Sequence, residues 1–251
     1  MKRALLAFPL ALPLALLLAG GAAAEPPQSG FALMAPETQA MQRDDTANPG
    51  MLWVQEGEAL WAQSGCTGCH GDAPGSMRGA ASRYPAWDAT RQAPIDLAGR
   101  IEQCRVDRQG AAPLEREGEP LLALSAYVAH QSRGLPIDPP EDPRLAPARA
   151  LGEALFRERR GQLDLSCAQC HDDNAGRRLG GSPIPQGHPT GYPLYRLEWQ
   201  GLGSLQRRLR NCMAGVRSEP YAYGAPEYVA IEAFLMVRAR GLALETPAVR
   251  P

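Results

Sequence analysis

Two Cys-x-x-Cys-His motifs are the most informative feature of this 251-residue sequence. The first consists of Cys66, Cys69 and His70, and the second of Cys167, Cys170 and His171. At this spacing both cysteines can form thioether bonds to one porphyrin, and the adjacent histidine can bind its iron. A single motif could instead be a redox dithiol or half of a zinc site. Two copies in matching positions predict two covalently bound haem c groups.

Two further cysteines are available as the second axial ligands of these haems. Cys104 lies 34 residues after His70, and Cys212 lies 41 residues after His171. Their equivalent placement indicates that each serves its own half of the chain, so we expect His70 with Cys104 and His171 with Cys212 at the two irons. The alternative is a disulfide between Cys104 and Cys212, which an oxidising compartment permits.

Met213 is a rival ligand, because methionine commonly binds iron in electron-carrier cytochromes. Neighbouring residues on a helix point about 100° apart, so only one of Cys212 and Met213 can face the iron. The first half has Arg105 at the corresponding place, which favours Cys212. A thiolate ligand predicts a low reduction potential and leaves no open position on the iron.

An arginine precedes each of the two later cysteines by four residues, Arg100 before Cys104 and Arg208 before Cys212. On a helix this spacing puts both side chains on one face. Guanidinium groups bind oxyanions through paired hydrogen bonds, so Arg208 could hold an anionic substrate beside Cys212. The alternative is that these arginines pair with haem propionates.

Repeated elements surround the motifs and must position them. Gly57-Glu58-Ala59-Leu60 returns as Gly152-Glu153-Ala154-Leu155 before the second motif. Each half closes with a helix-spaced apolar set, which is Leu124, Tyr127 and Val128 in the first half and Ile231, Phe234 and Leu235 in the second. This pattern predicts a mainly α fold in which two cytochrome c-like domains, a tandem duplication, each wrap around one haem.

Composition divides the chain further. Lys2 and Arg3, the apolar run after them and small residues up to Ala24 are typical of a secretory signal. We therefore expect a signal peptide at 1–24, an N-terminal extension at 25–50, the first domain at 51–134, a proline-rich linker at 135–148 and the second domain at 149–251. The sequence leaves open whether the extension is disordered or wraps across a domain or a partner. Residues 172–200 are rich in glycine and proline and predict a long loop over the second haem.

Charge and hydropathy narrow the possible partners. The chain carries 26 basic and 27 acidic residues, and no basic stripe suggests nucleic acid. No stretch after the signal is apolar for long enough to span a membrane. We expect the mature protein in the periplasm.

Three segments carry a resemblance to a known family. They are Gly187-His188-Pro189-Thr190-Gly191-Tyr192-Pro193, Arg207-Arg208-x-Arg210-x-Cys212 and Gly215-Val216-Arg217-Ser218-Glu219-Pro220-Tyr221. With the haem motifs, they make the sequence similar to the SoxA family, the dihaem subunits of SoxAX cytochromes in bacterial thiosulfate oxidation. Some members lack the first haem. This chain keeps the four residues for that haem, which are Cys66, Cys69, His70 and Cys104.

The resemblance implies a reaction and a set of site residues. It implies that thiosulfate is joined oxidatively to a cysteine of a SoxYZ-like carrier protein, with two electrons passing to a SoxX-like monohaem cytochrome and on to a downstream cytochrome c. It also implies that Cys212 is the active ligand and carries a persulfide, that Arg208 binds substrate and that His188 belongs to the active-site loop. The residues alone leave two alternatives, a periplasmic dihaem electron carrier without catalysis and a redox sensor.

Overall fold

A computed structural model describes residues 26–251, so the predicted signal peptide lies outside the described residues. The helices are α1 Pro36–Arg43, α2 Met51–Gln63, α3 Cys66–His70, α4 Ala73–Ser76, α5 Leu97–Gln103, α6 Glu119–His130, α7 Ala146–Arg157, α8 Cys167–His171, α9 Leu205–Gly215 and α10 Pro226–Arg238. The strands are β1 Ala86–Asp88, β2 Ala93–Ile95, β3 Arg178–Leu179, β4 Ser182–Pro183, β5 Leu194–Arg196, β6 Gly201–Gly203 and β7 Val249–Arg250. The predicted mainly α class is confirmed.

The same helix pair frames each half. In the first half α2 packs against α6, and in the second α7 packs against α10. A β-carbon on Gly57 would lie 2.1 Å from the carbonyl oxygen of Ala123, and one on Gly152 would lie 2.0 Å from that of Ala230. The repeated glycine therefore lets two helix backbones touch, which no larger residue allows at this distance. Each haem motif follows a helix held in this way, the first motif three residues after α2 ends and the second ten residues after α7 ends.

The two halves pair with each other through equivalent segments. After α6 and α10, residues 134–137 run antiparallel to residues 241–244. The N–H of Gly134 donates to Leu244 at 2.8 Å, and that of Gly241 donates to Ile137 at 2.9 Å. Ile137 is fully buried, so the start of the proline-rich segment lies inside the contact between the halves. The domain boundaries themselves stay a prediction.

A small sheet of the second half covers the first half. β5 pairs with β6 in antiparallel and with β7 in parallel orientation. Tyr195 of β5 lies with its ring 5.9 Å from that of Trp53 on α2. Tyr195 and Val249 are buried in the same apolar cluster as Trp61 and Tyr127 of the first half. Residues 172–200, predicted as a loop, thus contribute β5 to this sheet and form the β3–β4 hairpin.

The N-terminal extension wraps across the second half. The backbone N–H of Gln28 donates to the Gln186 side chain at 2.8 Å, and the hydroxyls of Ser29 and Thr190 lie 3.1 Å apart. Further along, the amide of Asn48 donates to the carbonyl of Pro247 at 2.9 Å. This answers the question that the sequence left open for residues 26–50, since the extension is ordered against the loop that precedes β5.

The helix contacts predict that Gly152→Ala destabilises the fold by about 1–3 kcal/mol, because the added methyl group forces α7 away from α10. Gly215→Ala is the matched control, since a β-carbon there meets nothing within 4 Å, and we expect a change below about 0.5 kcal/mol. Urea denaturation measures both values. Equal denaturation midpoints for the two variants would contradict the close approach of the helices.

Candidate functional site

The second Cys-x-x-Cys-His motif forms α8, and its histidine is held firmly. Ser166 and Gln169 form a reciprocal capping box at the start of the helix. The Nδ1 atom of His171 lies 2.7 Å from the carbonyl oxygen of Pro185. A carbonyl can only accept, so Nδ1 carries the proton and Nε2 is left as the free nitrogen. Gly187 has a positive φ of 78°, and a β-carbon there would lie 3.1 Å from the His171 ring.

Helix α9 presents Cys212 and Arg208 to the same place. Ser204 caps its first turn by accepting from the N–H of Arg207. Cys212 and Arg208 line a cavity together with His171. Met213 points the other way into the core, where the hydroxyl of Tyr228 donates to its sulfur at 3.5 Å. The structure therefore brings Cys212, not Met213, to the face that His171 occupies.

The cavity beside Cys212 has a volume of about 200 Å³ and is mostly apolar. Its apolar lining includes Phe156, Pro183, Leu194, Leu205, Leu209 and Leu235. Polar groups converge on one part of it, and these are His171, His188, Tyr192, Arg196, Arg208 and Cys212. The N-terminal extension adds Gly30 and Met34 to the wall, so the site is completed by a segment far away in sequence.

Positive charge acts on the Cys212 thiol. Burial raises its pKa, but the hydrogen bond with His171 and the charges of Arg208 and Arg196 outweigh this, so that the pKa lies below its ordinary value. Burial and the repulsion of Arg208 lower the pKa of Arg196. Two guanidinium groups in one cavity repel each other, and a bound dianion would relieve that repulsion.

His188 is a neutral ring with one unused nitrogen. Burial and the nearby charge of Arg238 together lower its pKa to about 4. Its Nε2 lies 3.1 Å from the side-chain oxygen of Gln186. Within residues 26–251 its buried Nδ1 has no hydrogen-bond partner. His188 lines the cavity and can accept a proton there through Nδ1.

The first motif lies in a more open setting. Cys69 and His70 on α3 are exposed, and the ring of His70 lies 5.7 Å from that of Trp61. Cys104 begins a π-helical turn that continues α5. Burial raises the pKa of Cys66, and the neighbouring Cys104 raises it too. In the second half burial and Cys212 raise the pKa of Cys167 to about 11, so each later cysteine lies near the first cysteine of its own motif.

The arginines that precede the two later cysteines have different partners. Arg100 donates to Gln103 at 2.5 Å and lies 4.0 Å from Asp88. Arg208 forms no ion pair with any carboxylate of residues 26–251, and it faces the cavity. The first guanidinium is thus engaged by protein groups, while the second is available to a ligand.

The second site fits a haem c group. It offers two cysteines for thioether bonds, a histidine with Nε2 free, a cysteine on the facing helix and an apolar wall. All six cysteines lie within the described residues and none is in a disulfide, so Cys104 and Cys212 are not joined to each other. At the first site Cys66 and Cys104 are close, and the buried Nε of Arg105 has no partner among the described residues.

Comparison with known proteins identifies this arrangement. A family model for the SoxA/TsdA cytochrome c domain matches residues 53–137 and 151–244, one match on each half. The chain belongs to this family. Its cytochrome c domains imply covalently bound haem c.

Individual members of the family extend over most of the chain. The L-cysteine S-thiosulfotransferase subunit SoxA of Pseudaminobacter salicylatoxidans is 37% identical over 229 residues, which cover 88% of this chain and 80% of that protein. The SoxA subunit of Rhodovulum sulfidophilum is 33% identical over 229 residues, with 89% and 80% covered. A chain in the crystal structure of SoxXA from P. pantotrophus has a TM-score of 0.86 at 28% identity, and the match covers 90% of this chain and 87% of that one. The SoxA resemblance and the two cytochrome c domains are confirmed.

Several groups at the site of this SoxA-family chain could not be predicted from its sequence. Arg196 lies on β5, 16 residues before Cys212, so helix spacing could not reveal it. Tyr192 belongs to a segment that carried the family resemblance, but nothing in its residue type marked it. The carbonyl of Pro185 is a backbone group, which a sequence does not display. The roles of Cys212, Arg208 and His188 stay predictions.

The ligand geometry predicts opposite results for two neighbouring substitutions. Cys212→Ala removes the group that faces His171, so we expect the ferric protein to bind added imidazole and its absorption spectrum to change. Met213→Leu alters only the core, so we expect an unchanged spectrum and a stability loss below about 1.5 kcal/mol. Optical titration and urea denaturation measure these outcomes. A spectrum that responds to Met213→Leu alone would show that the ligand assignment is wrong.

Proposed function

We propose that this chain is the SoxA-type subunit of an L-cysteine S-thiosulfotransferase and carries two haem c groups. Thiosulfate is joined to a cysteine thiol of a carrier protein. One sulfur–sulfur bond forms, and one thiol proton and two electrons leave. The observation that carries the proposal is the convergence of Arg208 and Arg196 on Cys212 in one cavity, because a plain electron carrier needs no anion site beside its ligand.

Each residue of the cavity has a distinct part in this proposal. Arg208 binds the dianion, for which its planar guanidinium is suited. Cys212 is the sulfur that takes part in exchange as a persulfide, since thiol exchange proceeds by attack on a sulfur–sulfur bond. His188 orients the thiol by accepting a hydrogen bond at its free Nδ1. A haem c group held by Cys167, Cys170 and His171 would supply a one-electron acceptor beside this cavity.

The partners follow from the same proposal. Similarity to the chain in the SoxXA structure supports a SoxX-like monohaem cytochrome as the bound subunit. A SoxYZ-like protein would supply the cysteine, and a downstream cytochrome c would receive the electrons. No helix within residues 26–251 has the length and apolar character to cross a membrane. We place the protein in the periplasm, where c-type haem attachment and this chemistry occur in the family.

Peptide mass spectrometry of the periplasmic protein, before and after thiosulfate, tests the function directly. We expect an added sulfur or thiosulfate group on Cys212, because this thiol lies beside the free arginine. The Cys104 peptide of the same digest is the internal control and should remain unmodified. An unmodified Cys212 in both samples would favour a dihaem electron carrier without catalysis.

Substitution of the anion-binding residue gives a second test. Arg208→Gln should raise the KM for thiosulfate about 10- to 100-fold, because a hydrogen bond to a charged group contributes about 1.5–3 kcal/mol. Arg207→Gln is the matched control, since Arg207 stacks on Trp199 at 4.3 Å instead. Steady-state kinetics and the reduction potential are measured together. If Arg208 pairs with a propionate, its loss will shift the potential and leave KM unchanged.

A further inference from the structure

A second cavity, of about 100 Å³, lies between the two halves and contains a network of carboxyl groups. Asp96, the N-cap of α5, accepts from Arg116 at 2.7 Å and from Gln206 of α9 at 2.8 Å. The same Gln206 nitrogen donates to Glu232 of α10 at 3.1 Å. Because an amide nitrogen has two hydrogens, Gln206 can serve both carboxyl groups at once.

The cavity between the halves has too few cationic side chains to pair with all of its carboxyl groups. The titratable groups that line this cavity with Glu232 are Asp96, Arg116, Glu117 and Tyr192, and Glu102 contacts Arg116. Arg116 is engaged by Asp96 at 2.7 Å and by Glu102 at 3.6 Å. Among the residues of the described chain, no cation lies within ion-pair distance of Glu232.

The surroundings of Glu232 favour its neutral form. Burial and the adjacent charge of Asp96 together raise its pKa to about 8. Two carboxyl groups that meet at one amide cannot both ionise without strong repulsion. One proton shared by the pair removes this repulsion while Asp96 keeps its ion pair.

The network is connected to the second haem site through shared walls. Tyr192 and Leu205 line both this cavity and the cavity beside Cys212. Gln206 is 4% exposed, and it lies two residues before Arg208 and six before Cys212 on the same helix. Its side-chain oxygen also accepts from the N–H of Gly224 at 2.7 Å. Gln206 therefore fixes the start of α9 to groups of the first half and of α10.

We propose that Asp96 and Glu232, joined by Gln206, hold one proton between the halves, and that loss of this proton lowers the reduction potential of the second haem. Loss of the proton puts a second negative charge beside the helix that carries Cys212. That charge stabilises the oxidised, more positive iron site. Glu232 and Gln206 are thus positioning residues, and the inference does not depend on the substrate of the protein.

The intact haem-loaded protein provides the main test. In the wild type we expect the potential of the second haem to fall as pH rises from 6 to 9, and in Glu232→Gln we expect this fall to be largely lost. The free energy of unfolding should also decrease between about pH 4.5 and 8, because the folded state keeps a proton that the unfolded carboxyl group releases. Glu232→Gln removes this decrease as well.

Glu227→Gln on the same helix is the matched control and should keep both pH dependences. Identical pH profiles for Glu232→Gln and Glu227→Gln would overturn the proposal. Infrared difference spectroscopy of the wild type between pH 6 and 9 needs no variant. It therefore tests for the protonated carboxyl group even if Glu232→Gln does not fold. The band of a protonated carboxylic acid should disappear over this range, and its absence at pH 6 would overturn the proposal too.

Discussion

In each half of the molecule, two helices touch through their backbones at a glycine, Gly57 in the first half and Gly152 in the second. The close approach holds α2 against α6 and α7 against α10, and the haem motifs begin within ten residues of the ends of α2 and α7. The closing helices α6 and α10 supply the apolar groups against which the motifs lie. Everything that distinguishes the two sites is built onto this shared frame, so the duplication preserves the attachment of the cofactor while it allows the surroundings to diverge.

The divergence lies mainly in what covers each site. The second site is enclosed by the loop that holds His171 at Pro185, by β5 and by the N-terminal extension, which reaches it from the other end of the chain. These elements bring Arg196 and His188 beside Cys212, while Arg208 remains free of protein carboxylates. At the first site Arg100 is engaged by Asp88 and Gln103, and His70 is exposed. In the second half the same set of cysteines and histidine is therefore combined with guanidinium groups that can bind an anion.

Much of the fold could be read from the sequence because its signals are local. The haem motifs, the repeated Gly-Glu-Ala-Leu and the apolar spacing of Tyr127 and Phe234 are patterns of a few residues. The choice of Cys212 over Met213 also followed from the sequence, because the first half has Arg105 at the place that corresponds to Met213. The network of Asp96, Gln206 and Glu232 could not be predicted, because Asp96 lies more than 100 residues before the other two and each is an ordinary surface residue type. Backbone groups such as the carbonyl of Pro185, and the course of the extension, likewise depend on tertiary contacts.

The antiparallel contact between residues 134–137 and 241–244 joins two segments that occupy the same place in the two repeats. A contact between equivalent segments is isologous, the kind that relates the subunits of a twofold homodimer. Each half thus presents a self-complementary edge, and the internal symmetry is that of a dimer whose subunits have become one chain. Fusion frees the two copies from the requirement of identical sequence, and a symmetric scaffold can then carry one reactive centre and one that differs from it.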